Sequence, residues 1–77
     1  MKEVVEYIVK SLAEYPDEVE VELTNENNTD VVKVKVSASD MGRVIGKGGK
    51  IATSIRTIVK SLYQKQNKRV IVKIEEK

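Results

Sequence analysis

The chain has 77 residues, a formal net charge of +2, and neither cysteine nor histidine. A chain this short forms one small domain, expected over residues 1–77, with a thin core, because it buries only about 60% of its unfolded surface. The missing residue types exclude disulfides, thiolate metal sites and the Ser-His-Asp and Cys-His arrangements of nucleophilic catalysis, so no enzyme, metal or cofactor is expected.

From Lys2 to Glu14 the apolar residues Val4, Val5, Ile8, Val9 and Leu12 recur at helical spacing. Tyr15-Pro16 should stop this helix, because proline pushes the preceding residue out of the α region. The start is amphipathic and acidic, unlike a signal peptide. Asp17–Leu23 alternates, with Val19, Val21 and Leu23 on one face and Glu18, Glu20 and Glu22 on the other, which predicts a half-buried strand. The glutamate row has nothing to complete a coordination shell and reads as a solvated face. Asn25–Asp30 is turn chemistry and predicts a loose hairpin. A second strand follows, with Val32, Val34, Val36 and Ala38 inward and Lys33, Lys35 and Ser37 outward. Its basic outer face suits the acidic face of the first strand.

Ser39 and Asp40 are candidate caps for a short helix, Met41–Ile45, which Gly46 should end. Ile51, Ala52, Ile55, Ile58, Val59 and Leu62 then mark a long amphipathic helix to about Gln66, with core assigned to Val44, Ile51, Ile55, Ile58, Val59 and Leu62 and Ile45 left as either core or contact. Asn67-Lys68 is the exit turn. Val70, Val72 and Ile74 alternate in a last strand, and Glu75–Lys77 is a polar tail. The fold class is α+β, in the order α-β-β-α-α-β: a three-stranded sheet with helices packed on one face. No apolar run approaches the ~20 residues of a membrane span. A cytoplasmic protein is expected.

The small net charge hides an asymmetry. Residues 1–30 hold two basic and nine acidic side chains, whereas residues 31–77 hold twelve basic and three acidic. From Met41 to Arg69 there are eight basic residues and no acid. A basic half of this kind points to a polyanion partner.

That half contains Val44-Ile45-Gly46-Lys47-Gly48-Gly49-Lys50-Ile51, in which three of the four glycines fall in four residues. Glycine permits φ > 0 and close backbone approach, and a helix start offers free N–H groups to an anion. A simple helix C-cap needs one glycine; this loop has three, with lysines and no acid. The nucleotide P-loop pattern fails, since Gly42 and Gly46 stand too close and Gly48 replaces the required Ser or Thr. The dinucleotide fingerprint fails because Ile51 stands where a glycine is needed.

What remains is a helix–G-x-x-G–helix element, and Val44–Gly49 resembles the signature of KH domains. Helix–strand–strand ahead of it matches the type II, prokaryotic arrangement. Val5–Ile8 through Pro16–Val19, and Met41–Gly46 through Ile55–Val59, resemble the small bacterial single-KH proteins, the KhpA-type family, over essentially the whole chain.

The resemblance implies that the loop clamps the backbone of about four single-stranded RNA nucleotides. Gly46 and Gly49 would set the turn, and amides near Gly48–Lys50 would face a phosphate. Lys47 and Lys50 would add charge, Arg43 would flank the track, and Ile45 would contribute to an apolar groove for bases. Arg56 and Lys60 share a helix face and read equally as an extension of the track or as a solvated face. Lys68 and Arg69 read as ordinary turn and strand-edge charges. There is no Trp or Phe, and the three tyrosines fall on predicted helices away from the loop, so stacking platforms are missing. Binding should therefore be weak, salt-dependent and in need of a second site. The resemblance implies a sequence-tolerant RNA chaperone or post-transcriptional regulator. It also admits a dimerisation scaffold, as homodimer or as partner of a larger multi-domain KH protein, with RNA binding secondary.

Overall fold

Lys2–Leu12 form the first helix, α1, in the computed structural model, which describes the backbone of residues 1–77 and every side chain except that of Lys47. Val5 and Val9, one turn apart, are its buried residues. Val4 and Leu12, part of the same apolar stripe, are exposed, because the face that meets the sheet is narrower than the stripe. The helix ends two residues before Glu14, at extended Ala13. The amides of Glu14 and Tyr15 donate instead to the carboxylate of Asp40, at 2.8 and 2.9 Å. Pro16–Glu18 make a 3-10 turn, with proline at the position where its missing N–H costs nothing. Tyr15 precedes that turn and lies outside any helix.

Strand β1 is Glu20–Glu26 and β2 is Thr29–Val36, antiparallel, with Glu26 opposite Thr29. The hairpin is tight rather than loose. Its two central residues, Asn27 and Asn28, have φ of 51° and 64°, as a two-residue turn with right-handed strand twist requires. Asparagine tolerates this left-handed region better than most residues. The strand thus begins three residues later than its alternation implied, though Val19 is still buried just ahead of it. Leu23 is more exposed than its inward parity suggests. The acidic and basic outer rows do meet: Lys35 Nζ lies 3.2 Å from Glu22 Oε1.

The helical span α2 is Ala38–Gln64. It starts earlier than expected because Ser37, not Ser39 or Asp40, caps it; Ser37 Oγ accepts from the Asp40 amide at 3.1 Å. Ala38 therefore opens the helix and is exposed rather than ending β2 in the core. Gly46 does not stop the helix. The reversal comes at Gly48 and Gly49, with φ of +74° and +71°, values no right-handed helix can hold. They divide α2 into two arms and yield the order α-β-β-α-α-β. Asn67, with φ of 54°, turns the chain into β3, Arg69–Glu76.

The sheet order is β1-β2-β3, with β2 and β3 parallel in a register from Thr29–Arg69 to Val36–Glu76. Parallel neighbours need a crossover, which α2 supplies. Val21, Val32, Val34, Val36 and Val72 face the helices and pack with Val5, Val9, Ile55, Val59 and Tyr63. Ile58, expected in this core, is 40% exposed, because the inward face of the second arm runs through Ala52, Ile55, Val59 and Tyr63 at steps of three and four.

Tyr63 is a core residue whose hydroxyl has no hydrogen-bond partner among the described residues. The Asp30 carboxylate acts on it without a bond of proper geometry, and burial, then Asp30, pushes the phenol pKa up to about 12. Tyr63→Phe should leave stability unchanged or raise it slightly in urea unfolding, since an unpaired buried hydroxyl contributes no net bond. A loss above ~1 kcal/mol would show the hydroxyl to be satisfied. Ile55→Ala, by contrast, should cost about 2–5 kcal/mol in the same measurement.

Candidate nucleic-acid interface

The loop-bearing arm is held at its base by one buried acid. Asp40 is 1% exposed. Besides the amides of Glu14 and Tyr15, its Oδ1 takes Arg43 Nη1 at 3.2 Å. Burial pushes its pKa up, but the bonds from Glu14, Tyr15 and Arg43 outweigh burial, and the carboxyl is held below its ordinary 3.8. Arg43 Nη1 also reaches the Leu12 carbonyl at 3.5 Å. The C-terminal end of α1 and the first arm of α2 are thereby pinned together. Nothing in the apolar pattern marks Asp40 as buried. The available signal was its isolation: it is the single acid between Val31 and Ile74.

Beyond this anchor, the first arm presents Gly42 and Gly46 one turn apart. A Cβ at either would meet nothing within 4 Å, so the protein's own packing does not demand glycine there. What their bare backbone does is open a surface groove of about 310 Å³, lined by Gly42, Arg43, Gly46 and Ile51. Gly48 and Gly49 are different, since their φ does require glycine. The turn is therefore made by Gly48 and Gly49 rather than by Gly46 and Gly49.

The other candidate residues fall around the same feature. Ile45 is 59% exposed beside the loop, an unusual position for an isoleucine with Val44 buried next to it. Lys50 is exposed at the start of the second arm, and Arg43 keeps part of its guanidinium outside the Asp40 contact. The candidate contact at the Lys47 side chain lies outside the described residues. Tyr63 is buried, and neither Tyr7 nor Tyr15 lines the groove. Among the described residues no group of acids gathers as a metal site, and no helix is long and apolar enough to cross a membrane.

A family model described as "KhpA/KhpB, KH domain" matches residues 2–74. The chain belongs to the KhpA/KhpB KH-domain family. The relatives it resembles include RNA-binding protein KhpA of Clostridium acetobutylicum, 51% identical over 96% of this chain and 99% of that protein. RNA-binding protein KhpA of Clostridium perfringens is 49% identical over 96% and 99%. The protein of the same name in Borreliella burgdorferi is 39% identical over 94% and 88%. No solved structure matches the chain significantly. In this KH domain the α-β-β-α-α-β order and the sheet with helices on one face are those the sequence led one to expect.

The Asp40 anchor is open to a pH test. A carboxylate with a depressed folded-state pKa stabilises fully above its unfolded value, here 3.8, and that stabilisation is lost as pH falls through the lower folded value. Asp40→Asn should cost about 2 kcal/mol at neutral pH, the scale of hydrogen bonds to a charged group. The gap between the two proteins should narrow below pH 3.8 in urea unfolding followed by circular dichroism. A pH-independent gap would assign the effect to shape alone.

Proposed function

We propose that this KH domain binds single-stranded RNA by gripping the strand's backbone at Gly46-Lys47-Gly48-Gly49. The observation that carries the reading is the left-handed pair Gly48–Gly49 beside a groove left bare by Gly42 and Gly46, inside a stretch of 29 residues without an acid. The relatives named RNA-binding protein KhpA support it. A phosphate sits against the amides of Gly48–Lys50, where the helical N–H groups of the second arm begin. Lys47 and Lys50 add charge. Arg43 offers its unpaired donors from the flank, oriented by Asp40. Ile45 supplies an apolar contact for a base.

No aromatic platform adds the ~1–3 kcal/mol per base that stacking supplies elsewhere. The grip is consequently weak and sequence-tolerant, as suits an RNA chaperone or post-transcriptional regulator in the cytoplasm, acting without catalysis. Useful affinity comes from a second site, in a homodimer or a heterodimer with a larger KH protein. A second reading makes dimerisation the main role; the exposed Ile58 on the second arm favours it. Gly42 and Gly46 favour RNA, since the packing of the domain itself does not demand glycine there.

The double substitution Lys47→Asp with Gly48→Asp should lower RNA affinity at least tenfold in a gel-shift assay, while circular dichroism shows the fold retained. Gly48→Ala is the control, because it carries the backbone strain of a left-handed residue, about 1–2 kcal/mol, without the charge. Unchanged affinity in the double variant would move the site away from the loop. Affinity should also fall steeply with salt, with a slope of about −0.7 per phosphate contacted.

A further inference from the structure

At the far end of the second arm, the fold bends a basic stretch of the sequence around one groove. Lys60 and Gln64 from α2, Lys68 from the exit turn, Arg69 at the start of β3 and Thr29 at the start of β2 surround a groove of about 420 Å³ that Val70 and Ile71 also line. No acid lines it. Among the described residues, none of the three cations has a carboxylate within ion-pair distance, whereas Lys2, Lys10, Lys35, Arg43 and Lys77 all do. Asp30, adjacent to Thr29, has its Oδ1 engaged by Asn25 at 2.9 Å, and its carboxylate also feels the charge of Lys68 beyond ion-pair distance. Ile71 is half exposed, on the outer face of an edge strand.

A second observation connects this groove to the loop. Lys50, Thr53, Thr57, Lys60 and Gln64 follow one another at steps of three and four, and all five are exposed. They make one continuous helix face of cations, hydroxyls and an amide. It lies apart from the buried face of Ala52, Ile55, Val59 and Tyr63. It begins at the loop and ends in the groove, about 21 Å away at 1.5 Å per helical residue. Such a face has no apolar surface for a protein partner, but it offers a phosphate chain favourable contacts throughout.

We propose that the groove of Lys60, Lys68 and Arg69 is a second RNA contact, which holds the same strand beyond the nucleotides clamped at the loop. The cations take phosphates. This rests on the RNA-binding reading of the loop, and it supplies from within one chain part of the second site that weak clamping calls for. Lys68 and Arg69 thereby become members of an extended track rather than incidental turn charges. The arrangement favours strands longer than the clamp itself holds, which a KH loop limits to about four nucleotides.

The test compares unstructured RNAs of about four and about ten nucleotides, titrated into the protein and followed by NMR amide shifts. The triple variant Lys60→Gln, Lys68→Gln, Arg69→Gln alters exposed side chains only. It should weaken binding of the longer RNA about tenfold and reduce its salt slope by about 1.4–2, two to three phosphate contacts. The shorter RNA should bind within about twofold of the original. Amides of Thr29, Gln64, Val70 and Ile71 should shift with the longer RNA and not with the shorter. Equal loss on both lengths, or no loss on either, would overturn the groove as a second contact. The loop variant Lys47→Asp with Gly48→Asp separates the two readings: it weakens both lengths if the loop is the clamp. Normal binding of both lengths by that variant would remove the clamp itself.

Discussion

The buried carboxylate of Asp40 is the interaction on which the geometry of this small domain turns. Two backbone amides at the end of α1 and one guanidinium converge on it. A bare carboxylate in a core this thin would be strongly unfavourable, and it persists only because three donors satisfy it. In return it stops α1, sets the path of Tyr15-Pro16, and fixes the first arm of α2 against the rest of the fold. The groove and the loop stand on that arm, so the precision of the candidate site rests on a buried residue.

A thin core makes this polar anchor matter more. The sheet contributes valines on one face and the two helices contribute a narrow stripe, leaving Val4, Leu12, Leu23 and Ile58 partly in solvent. Hydrophobic burial alone orients helices loosely, being non-directional. Hydrogen bonds at Ser37 and Asp40 give the first arm its start and its direction. The turn at Gly48–Gly49 then gives the second arm its own.

The electrostatic layout follows from the same topology. The acidic half of the chain forms α1 and β1, while the acid-free stretch forms the loop, the second arm and the entry to β3. Because β3 runs parallel to β2 and beside it, the crossover brings Arg69 level with Thr29 and near the end of the second arm. Lys60, Lys68 and Arg69 therefore share one groove with the distant Thr29. With stacking platforms absent, affinity for a polyanion depends on how many phosphates such a groove can reach at once.

Much of this was legible in the sequence. Periods of 3.6 and 2 identified the helices and strands, the proline and asparagines marked the breaks, and the glycines with their lysine marked the loop, because each is a local preference of the backbone or side chain. What local preference could not supply is any contact between distant segments. That Asp40 ends α1, that Ser37 rather than Ser39 caps α2, that Ile58 turns outward, and that Gly48 rather than Gly46 makes the reversal all depend on what each residue meets across the fold. Composition marked off the basic half of the chain and excluded histidine- and cysteine-based chemistry. Only the tertiary structure decided that Lys60, Lys68 and Arg69 share a groove with Thr29, because the crossover of α2 lays β3 beside β2 and no local preference contains that pairing.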